Sequence, residues 1–384
     1  MIVYILVTLL TCGLLFIYER HKDWKWLVIL AAMPLIIVSG FRNGVGTDYN
    51  RTYLPQYQAL ELQHGTAKQA PSEDPAFVRL VKCGRFGRTP DRIARHFKGT
   101  LKRCEPGYLA LMEVSRWSGV GFRGVIVFCA CITIGCFFFA TLRHSRWPVF
   151  AVFLFVAGGN FFLSMNVMRQ FVAIAIGLVA LEFVLTRRPL LFLICVAIAF
   201  TVHFSAVLIL PYYLLARWEV TPFRAIMLIV IAFVGAFFVF TFGSAVLNAI
   251  GARHYAHYFV SRHRKIEFEW IFFGIDICYL AMGAWYWTRA KAQSRIFTLL
   301  YGLTALATAT IVMSVSVPQI KRVHHYFAAT QFLLLPEMLL AEENLKVRRW
   351  LTIGVVLLFA AEAFVAVGLL NKNGVLPYRF SVWE

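Results

Sequence analysis

The sequence predicts an all-α polytopic membrane protein of about 12 transmembrane or re-entrant helices, with a large extracytoplasmic loop. Three observations carry that prediction. Of 384 residues, 60% are hydrophobic and only 15% charged, against about 25% charged in an average soluble domain. Mean hydropathy is +0.70. Apolar runs of about 17–25 residues, the length a helix needs to cross a bilayer, recur along the whole chain. No soluble domain of ordinary size fits beside them, so 1–384 reads as one integral membrane unit.

The spans fall at about 2–19, 25–40, 121–142, 147–163, 168–186, 189–203, 205–217, 222–242, 271–288, 296–314, 323–341 and 350–370. The first run, Met1 to Ile17, has no small-residue cleavage site before Arg20 and reads as a retained span, not a signal peptide. Spans two and three are separated by the long polar segment 41–120, whose centre, His64 to Arg103, is basic and weakly patterned. After it, Glu105-Pro106 opens a helix over 106–117, because proline suits the first helical position. That helix reads as interfacial, with Tyr108, Leu111, Met112 and Trp117 toward lipid or core. Segment 189–217 reads as two short helices hinged near His203, a partly re-entrant pair buried in protein. A second long loop covers 243–270.

The loops sort into two sets. ERHKDWK, RHSR, TRRP, RWEVTPFR, RAKAQSR and EENLKVRR are short and hold 15 lysines and arginines between them. SMNVMRQ, the turn at His203 and PQIKR hold three. Short basic loops stay cytoplasmic, which places both termini and the two long loops on the outer side. The net charge of +19 lies mostly in these loops. It therefore points to phospholipid headgroups and a phosphate-bearing lipid, not to nucleic acid.

Of eight cysteines, Cys12, Cys129, Cys131, Cys136, Cys195 and Cys278 lie in apolar runs, where cysteine is a small hydrophobe. Cys83 and Cys104 share the first outer loop, where an oxidising compartment would allow a bridge. The chain carries no CxxC pair, zinc spacing, Walker lysine loop, HExxH, GxSxG or dinucleotide fingerprint. No metal or cofactor is expected.

Four polar clusters meet at the outer face in this topology. In the first, Arg42 to Tyr57, Gly44 and Gly46 let a ligand approach the main chain, Arg42, Tyr49 and Tyr53 supply binding groups, and Asp48 is a candidate base or arginine orienter. The second, Asn166 to Gln170, puts Arg169 at a helix start, where free N–H groups and a fork-shaped cation suit phosphate. The third is His203, with Phe204 and Ser205, at the hinge. The fourth is Lys321 to Phe327, where Arg322, His325 and Tyr326 share one helical face beside His324. A further group, Arg253, His254, Tyr255, His257 and Tyr258, reads as an acceptor-binding surface. The bland alternatives are a glycine turn, a snorkelling arginine, a satisfied core histidine and an aromatic-basic interface belt. Asp276 and Glu362 lie inside spans and keep a transporter reading open. A membrane acyltransferase would want a histidine–carboxylate pair, and none is evident in the sequence.

FRNGVGTDYNRTY, EPGY at Glu105 to Tyr108, NVMRQFVAIAI from Asn166, HFSA at His203 and KRVHHYF stand in one order across about residues 40–330. The set resembles the EpsG family, the Wzy-type polymerases of bacterial surface polysaccharides. The chain departs from the family pattern in an inserted stretch of roughly fifty residues between Tyr53 and Glu105. The resemblance implies a GT-C-like helix arrangement in the inner membrane, with a glycosyl-transfer site facing the periplasm. The donor would be a growing glycan on undecaprenyl diphosphate and the acceptor a repeat unit on the same carrier. A chain-length regulator and a flippase would be the protein partners. Asp48, Arg169, His203, Arg322 and His325 would carry the chemistry. Glu105 would join the substrate-binding set.

Overall fold

The computed structural model describes residues 1–64, 101, 104–249, 268–316 and 320–381. Among them are 17 α-helices and no β-strand. Six helices are long and apolar enough to cross a membrane. The count is seven if one bent pair is taken as a single span, and five apolar segments are shorter. Together these match the twelve expected segments one for one, and the chain is an all-α polytopic membrane protein.

The chain opens with α1 (Ile2–Arg20) and α2 (Trp26–Gly40), joined at mid-depth by the Thr11 hydroxyl, which donates to the Ala31 carbonyl. A π-helical turn (Tyr49–Tyr53) leads into α3 (Leu54–Gln63). Then come α4 (Pro106–Trp117), α5 (Phe122–His144), α6 (Pro148–Ala157), α7 (Asn160–Asn166), α8 (Met168–Leu185) and α9 (Pro189–Val202). Prolines stand at the starts of α4, α6 and α9, where no backbone donor is lost. A 3-10 turn (Phe204–Ile209) precedes α10 (Leu210–Leu215), α11 (Pro222–Ala249), α12 (Trp270–Trp285), α13 (Trp287–Gln293) and α14 (Phe297–Ser314). The chain ends with α15 (Lys321–Ala328), α16 (Gln331–Leu340) and α17 (Leu345–Ala363), which runs into a π-turn to Leu369.

Three expected single spans are in fact broken. The run at 147–163 bends by 50° between α6 and α7. The cause is Gly158-Gly159, with Gly159 at φ +84°, a conformation open to glycine. The run at 323–341 divides into α15 and α16 at Ala329-Thr330, and 271–288 divides at Tyr286. Hydropathy alone cannot see the first break, because PVFAVFLFVA and NFFLSMN are both apolar, whereas the other two fall where a polar helix, KRVHHYFA or WTRAKAQ, adjoins an apolar one. The hinge at His203 is present: α9 ends there and His203 is extended, at φ −153° and ψ 118°.

Helices α8 and α14 form the interior, with 67% and 78% of their spans buried. Helices α1, α11 and α17 are only 17%, 17% and 11% buried, as lipid-facing helices should be. A smaller core lies under α3 and α4, where Tyr49, Tyr53, Tyr57, Tyr108 and Met112 pack on Phe122 and Ile126 of α5.

The six short basic loops converge on one end. Arg143 pairs with both Glu182 oxygens at 2.8 Å, and Arg146 pairs with the buried Glu337 at 2.8 Å. Lys291 reaches Glu219, Arg146 reaches Gln293, Tyr286 donates to Glu342, and Glu19 accepts from the Val149 N–H. The motif residues gather at the other end. Cysteines placed at Asn50 and at Glu343 should therefore react with an impermeant maleimide from opposite sides of the membrane, Asn50 from outside. Labelling of both from one side would refute this arrangement.

Candidate functional site

The centre of the motif-bearing end is a carboxylate with two basic partners. Glu105 caps α4, and one of its oxygens accepts from Arg169 Nη1 at 2.5 Å. The other faces His203 Nδ1 at 2.7 Å. Each EPGY residue serves this joint. Pro106 starts the helix. A Cβ on Gly107 would sit 2.4 Å from the Thr201 hydroxyl and 2.9 Å from its backbone, so only glycine lets α4 approach α9 this closely. The Tyr108 ring lies under Arg169, with the guanidinium carbon 5.2 Å from its centroid, and Tyr53 adds a second face at 6.0 Å. Burial alone would raise the Glu105 carboxyl, but the His203 hydrogen bond and the Arg169 charge outweigh it and hold Glu105 below its usual value.

Arg169 itself sits in the first turn of α8, as expected, with 17% of its side chain exposed. Its Nε is buried without a hydrogen-bond partner among the described residues. His203 keeps 22% exposure. Because a carboxylate can only accept, Nδ1 is the donor and the neutral ring keeps a lone pair on Nε2.

The Arg42–Asp48 loop wraps over the start of α8. Arg42 is 1% exposed. Its Nε donates to the Val45 carbonyl at 3.2 Å, Nη1 to Ser39, and Nη2 to the Met165 carbonyl at 2.9 Å. The guanidinium thus holds its own loop. Burial pushes Arg42 down to about 10, which leaves it charged at neutral pH. Gly44 and Gly46 have φ of +63° and +102°. A Cβ on Gly46 would lie 2.9 Å from Asn166 Oδ1. That oxygen accepts from the Thr47 N–H at 2.7 Å, while Asn166 Nδ2 donates to the Asn373 carbonyl at 2.8 Å. A C-terminal strap completes the assembly: Gly46 N–H donates to Gly374, Asn43 N–H to Arg379, and Arg42 bridges Phe380. Asp48, half-buried, is raised by burial against the opposing charges of Arg322, Arg51 and Arg169.

Helix α15 supplies the third wall. Gln170 donates to the Arg322 carbonyl at 2.5 Å, and the Tyr326 hydroxyl meets Ser205 at 2.9 Å. Arg322 is exposed and makes no ion pair among the described residues. His324 turns away from this wall toward Asp276, at 3.0 Å, and Gln331 donates to the second Asp276 oxygen at 2.7 Å. His325 is half-buried beside it, with ring centroids 5.9 Å apart.

The fold therefore brings Asp48, Glu105, Arg169, His203, Arg322 and Tyr326 to one end. It places Arg42, Gly46 and Asn166 in the framework beneath, and His324 in a separate buried pair. Tyr49 and Tyr53 are buried in the smaller core, with Tyr49 edge-on to Phe122. Arg253 and Tyr255 lie outside the described residues, as does Cys83, the expected partner of the buried Cys104. Besides an exposed His64–Glu113 contact, two histidine–carboxylate pairs inside the protein, His203–Glu105 and His324–Asp276, correct the expectation of none. They join residues 98 and 48 positions apart, so no local pattern reveals them. Sequence reasoning also missed Tyr108 as a platform and the strap at Asn373 and Gly374. Among the described residues, no three His, Cys, Asp or Glu side chains cluster to hold a metal ion.

A family model described as the EpsG family matches residues 25–380. No curated protein and no solved structure matches the chain.

The lowered Glu105 value links stability to pH. A carboxylate whose folded value is depressed stabilises the fold above its unfolded value and loses that contribution as pH falls through the folded value. Glu105→Gln should therefore melt below wild type at neutral pH, with the gap closing in acid below about 4.5, the ordinary Glu value. Thermal unfolding of the detergent-solubilised pair across that range checks it. A gap of constant size from about pH 7 to pH 3 would show that the carboxylate charge is not what matters.

Proposed function

The chain belongs to the EpsG family, membership that points to a polysaccharide-polymerase-like role, and from that premise we propose that it is a glycosyltransferase joining lipid-linked repeat units. The donor is a growing glycan on undecaprenyl diphosphate. The acceptor is one repeat unit on the same carrier. An acceptor hydroxyl attacks the anomeric carbon of the donor, the bond from that carbon to the diphosphate oxygen breaks, and undecaprenyl diphosphate leaves. The site faces the periplasm from the bacterial inner membrane, because the short basic loops mark the cytoplasmic end.

The Arg169–Glu105–His203 cluster is the observation that supports this best. A diphosphate leaving group gathers negative charge as the bond breaks, and fixed cations stabilise it without reorganising. Arg169 is anchored through one Nη by Glu105 and stacked on Tyr108. Its position is set before substrate arrives. Arg322, exposed and unpaired among the described residues, supplies the second cation. His203 takes the proton of the attacking hydroxyl at Nε2, while Glu105 orients the ring and stabilises the imidazolium, as a carboxylate does for a histidine base. Asp48 lies within the field of Arg322, Arg51 and Arg169 and orients them.

The transporter reading loses one of its two intramembrane carboxylates in this geometry. Asp276 is 1% exposed and engages both His324 and Gln331, so it is closed into a structural pair. The His203–Glu105 pair would suit an acyltransferase base equally well, but the family premise weighs against that reading.

Purified protein supplied with undecaprenyl-diphosphate-linked repeat should make polymer. Arg169→Lys keeps the charge but loses the fork, and the rate should fall about 10-fold or more. His203→Asn keeps a donor for Glu105 in place of Nδ1 but loses the basic Nε2, so it should lower the rate by about 10² to 10⁴ with little change in melting temperature. Wild-type rates in both variants would sink the proposal.

A further inference from the structure

At the end opposite the glycan-transfer cluster, the loops after α5, α8, α10 and α13 surround a cleft of about 490 Å³. Five arginines line it, Arg143, Arg146, Arg187, Arg217 and Arg295, against one lining carboxylate, Glu182. Glu182 answers Arg143, and Glu337 answers Arg146 from below. Arg217 donates to the Tyr213 hydroxyl at 2.9 Å, a neutral partner that leaves its charge uncancelled. Arg187 and Arg295 have no hydrogen-bonded or ionic side-chain partner among the described residues. Three uncancelled cations therefore border one hollow.

Two further observations set this apart from an ordinary solvated basic face. Arg187 holds φ +57°, a left-handed conformation that a non-glycine residue adopts at a cost. That turn closes the C-terminus of α8, where the Arg188 N–H donates to the Phe183 carbonyl at 2.8 Å, and it sets Arg187 at the cleft. His144 also lines the hollow, and its Nε2 is buried with no hydrogen-bond partner among the described residues. The surroundings are those of a membrane boundary. Leu190, three residues past Arg187, is 70% exposed, Leu214 is 66% exposed and Trp218 is 48% exposed. Apolar surface thus continues from the two cationic turns, as acyl chains would need.

We propose that this cleft is a binding site for a phosphate-bearing anion, and that the phosphodiester headgroup of an anionic phospholipid is its occupant. Arginine forks match phosphate oxygens in pairs, and basic pockets between helices on this side of a membrane take such headgroups. The inference is independent of the glycan chemistry at the other end.

The test uses full-length protein in detergent, titrated with dioleoyl phosphatidylglycerol, dioleoyl phosphatidylcholine or inorganic phosphate, and read by native mass spectrometry and thermal melting. The variant Arg187→Asn/Arg295→Gln removes the two free cations, and asparagine tolerates the left-handed turn. Lys25→Gln/Arg349→Gln removes equal charge from the same end outside the cleft. Wild type should prefer phosphatidylglycerol. The cleft variant should lose that affinity about 10-fold or more, and the control should keep it. If inorganic phosphate alone stabilises wild type and not the cleft variant, the occupant is a soluble phosphate and the site stands. Equal losses in cleft variant and control, or a wild type indifferent to all three, overturn the proposal. Should the double variant fold poorly, Arg295→Glu inverts one exposed charge without touching the Arg187 turn, and it must show the same loss.

Discussion

A carboxylate held at a membrane boundary must be answered by cations, and Glu105 is answered twice. One oxygen takes Arg169 from α8, the other His203 from the end of α9, and Glu105 itself is the residue from which α4 starts. Three helices are thereby tied to one group. Removing one member of such a buried pair typically costs about 3–5 kcal/mol, because the remaining charge is stranded. The local irregularities follow from this joint. Helix α9 stops at an extended His203 so that its imidazole can reach the carboxylate. Gly107 lacks a side chain so that α4 can come down on Thr201. What stabilises the fold here also fixes the orientation of a guanidinium and of an imidazole.

A second buried charge carries the floor of the site. The Arg42 guanidinium hydrogen-bonds the Ser39, Val45 and Met165 carbonyls, and the carbonyl of Arg42 itself accepts from the buried Arg123. Peptide oxygens, not carboxylates, satisfy its donors, so the loop keeps its positive charge. Asn166 then threads the loop to the C-terminal strap, accepting from Thr47 and donating to Asn373. The strap closes on the loop through Gly374 and Arg379. Asp48 rides on this rigid base, and the arginines that face it come from α8 and α15 as well as from its own turn.

The sequence spoke clearly where the signal was one-dimensional. Span number, the His203 hinge and the start of α4 at Pro106 follow from hydropathy runs and proline placement, which need no knowledge of neighbours. The segregation of the six basic loops was legible for the same reason, and the fold joins them through Arg143–Glu182, Arg146–Glu337 and Lys291–Glu219. What was not legible is pairwise. Glu105 and His203 are 98 residues apart, and nothing near either names the other. The helix break at Gly159 was hidden because apolar residues continue through it. Arg42 and Asn166 read as substrate-binding residues, and the fold turns their polar atoms onto its own backbone. Whether such a residue faces a ligand or its own backbone depends on loop geometry that composition cannot supply.

The breaks themselves carry the last step. An unbroken helix bundle offers side chains only at regular spacing along rods, and its backbone groups are satisfied within each rod. Around this site, α9 breaks at His203, α7 passes into α8 at Val167, and α15 separates from α16 at Thr330. Each break lies in protein contact, where a neighbouring group can satisfy what the helix gives up. Tyr212 donates to the Tyr326 carbonyl, and Gln170 donates to the Arg322 carbonyl. The freed ends let Arg169, His203 and Arg322 arrive from three directions at one level of the membrane. A transport path needs polar groups that continue through the interior. Here the buried Asp276 is closed by His324 and Gln331, and the polar chemistry collects at the two ends. That distribution fits the proposed lipid-linked substrate, whose diphosphate would stay at one headgroup level while its tail lay among the apolar helices.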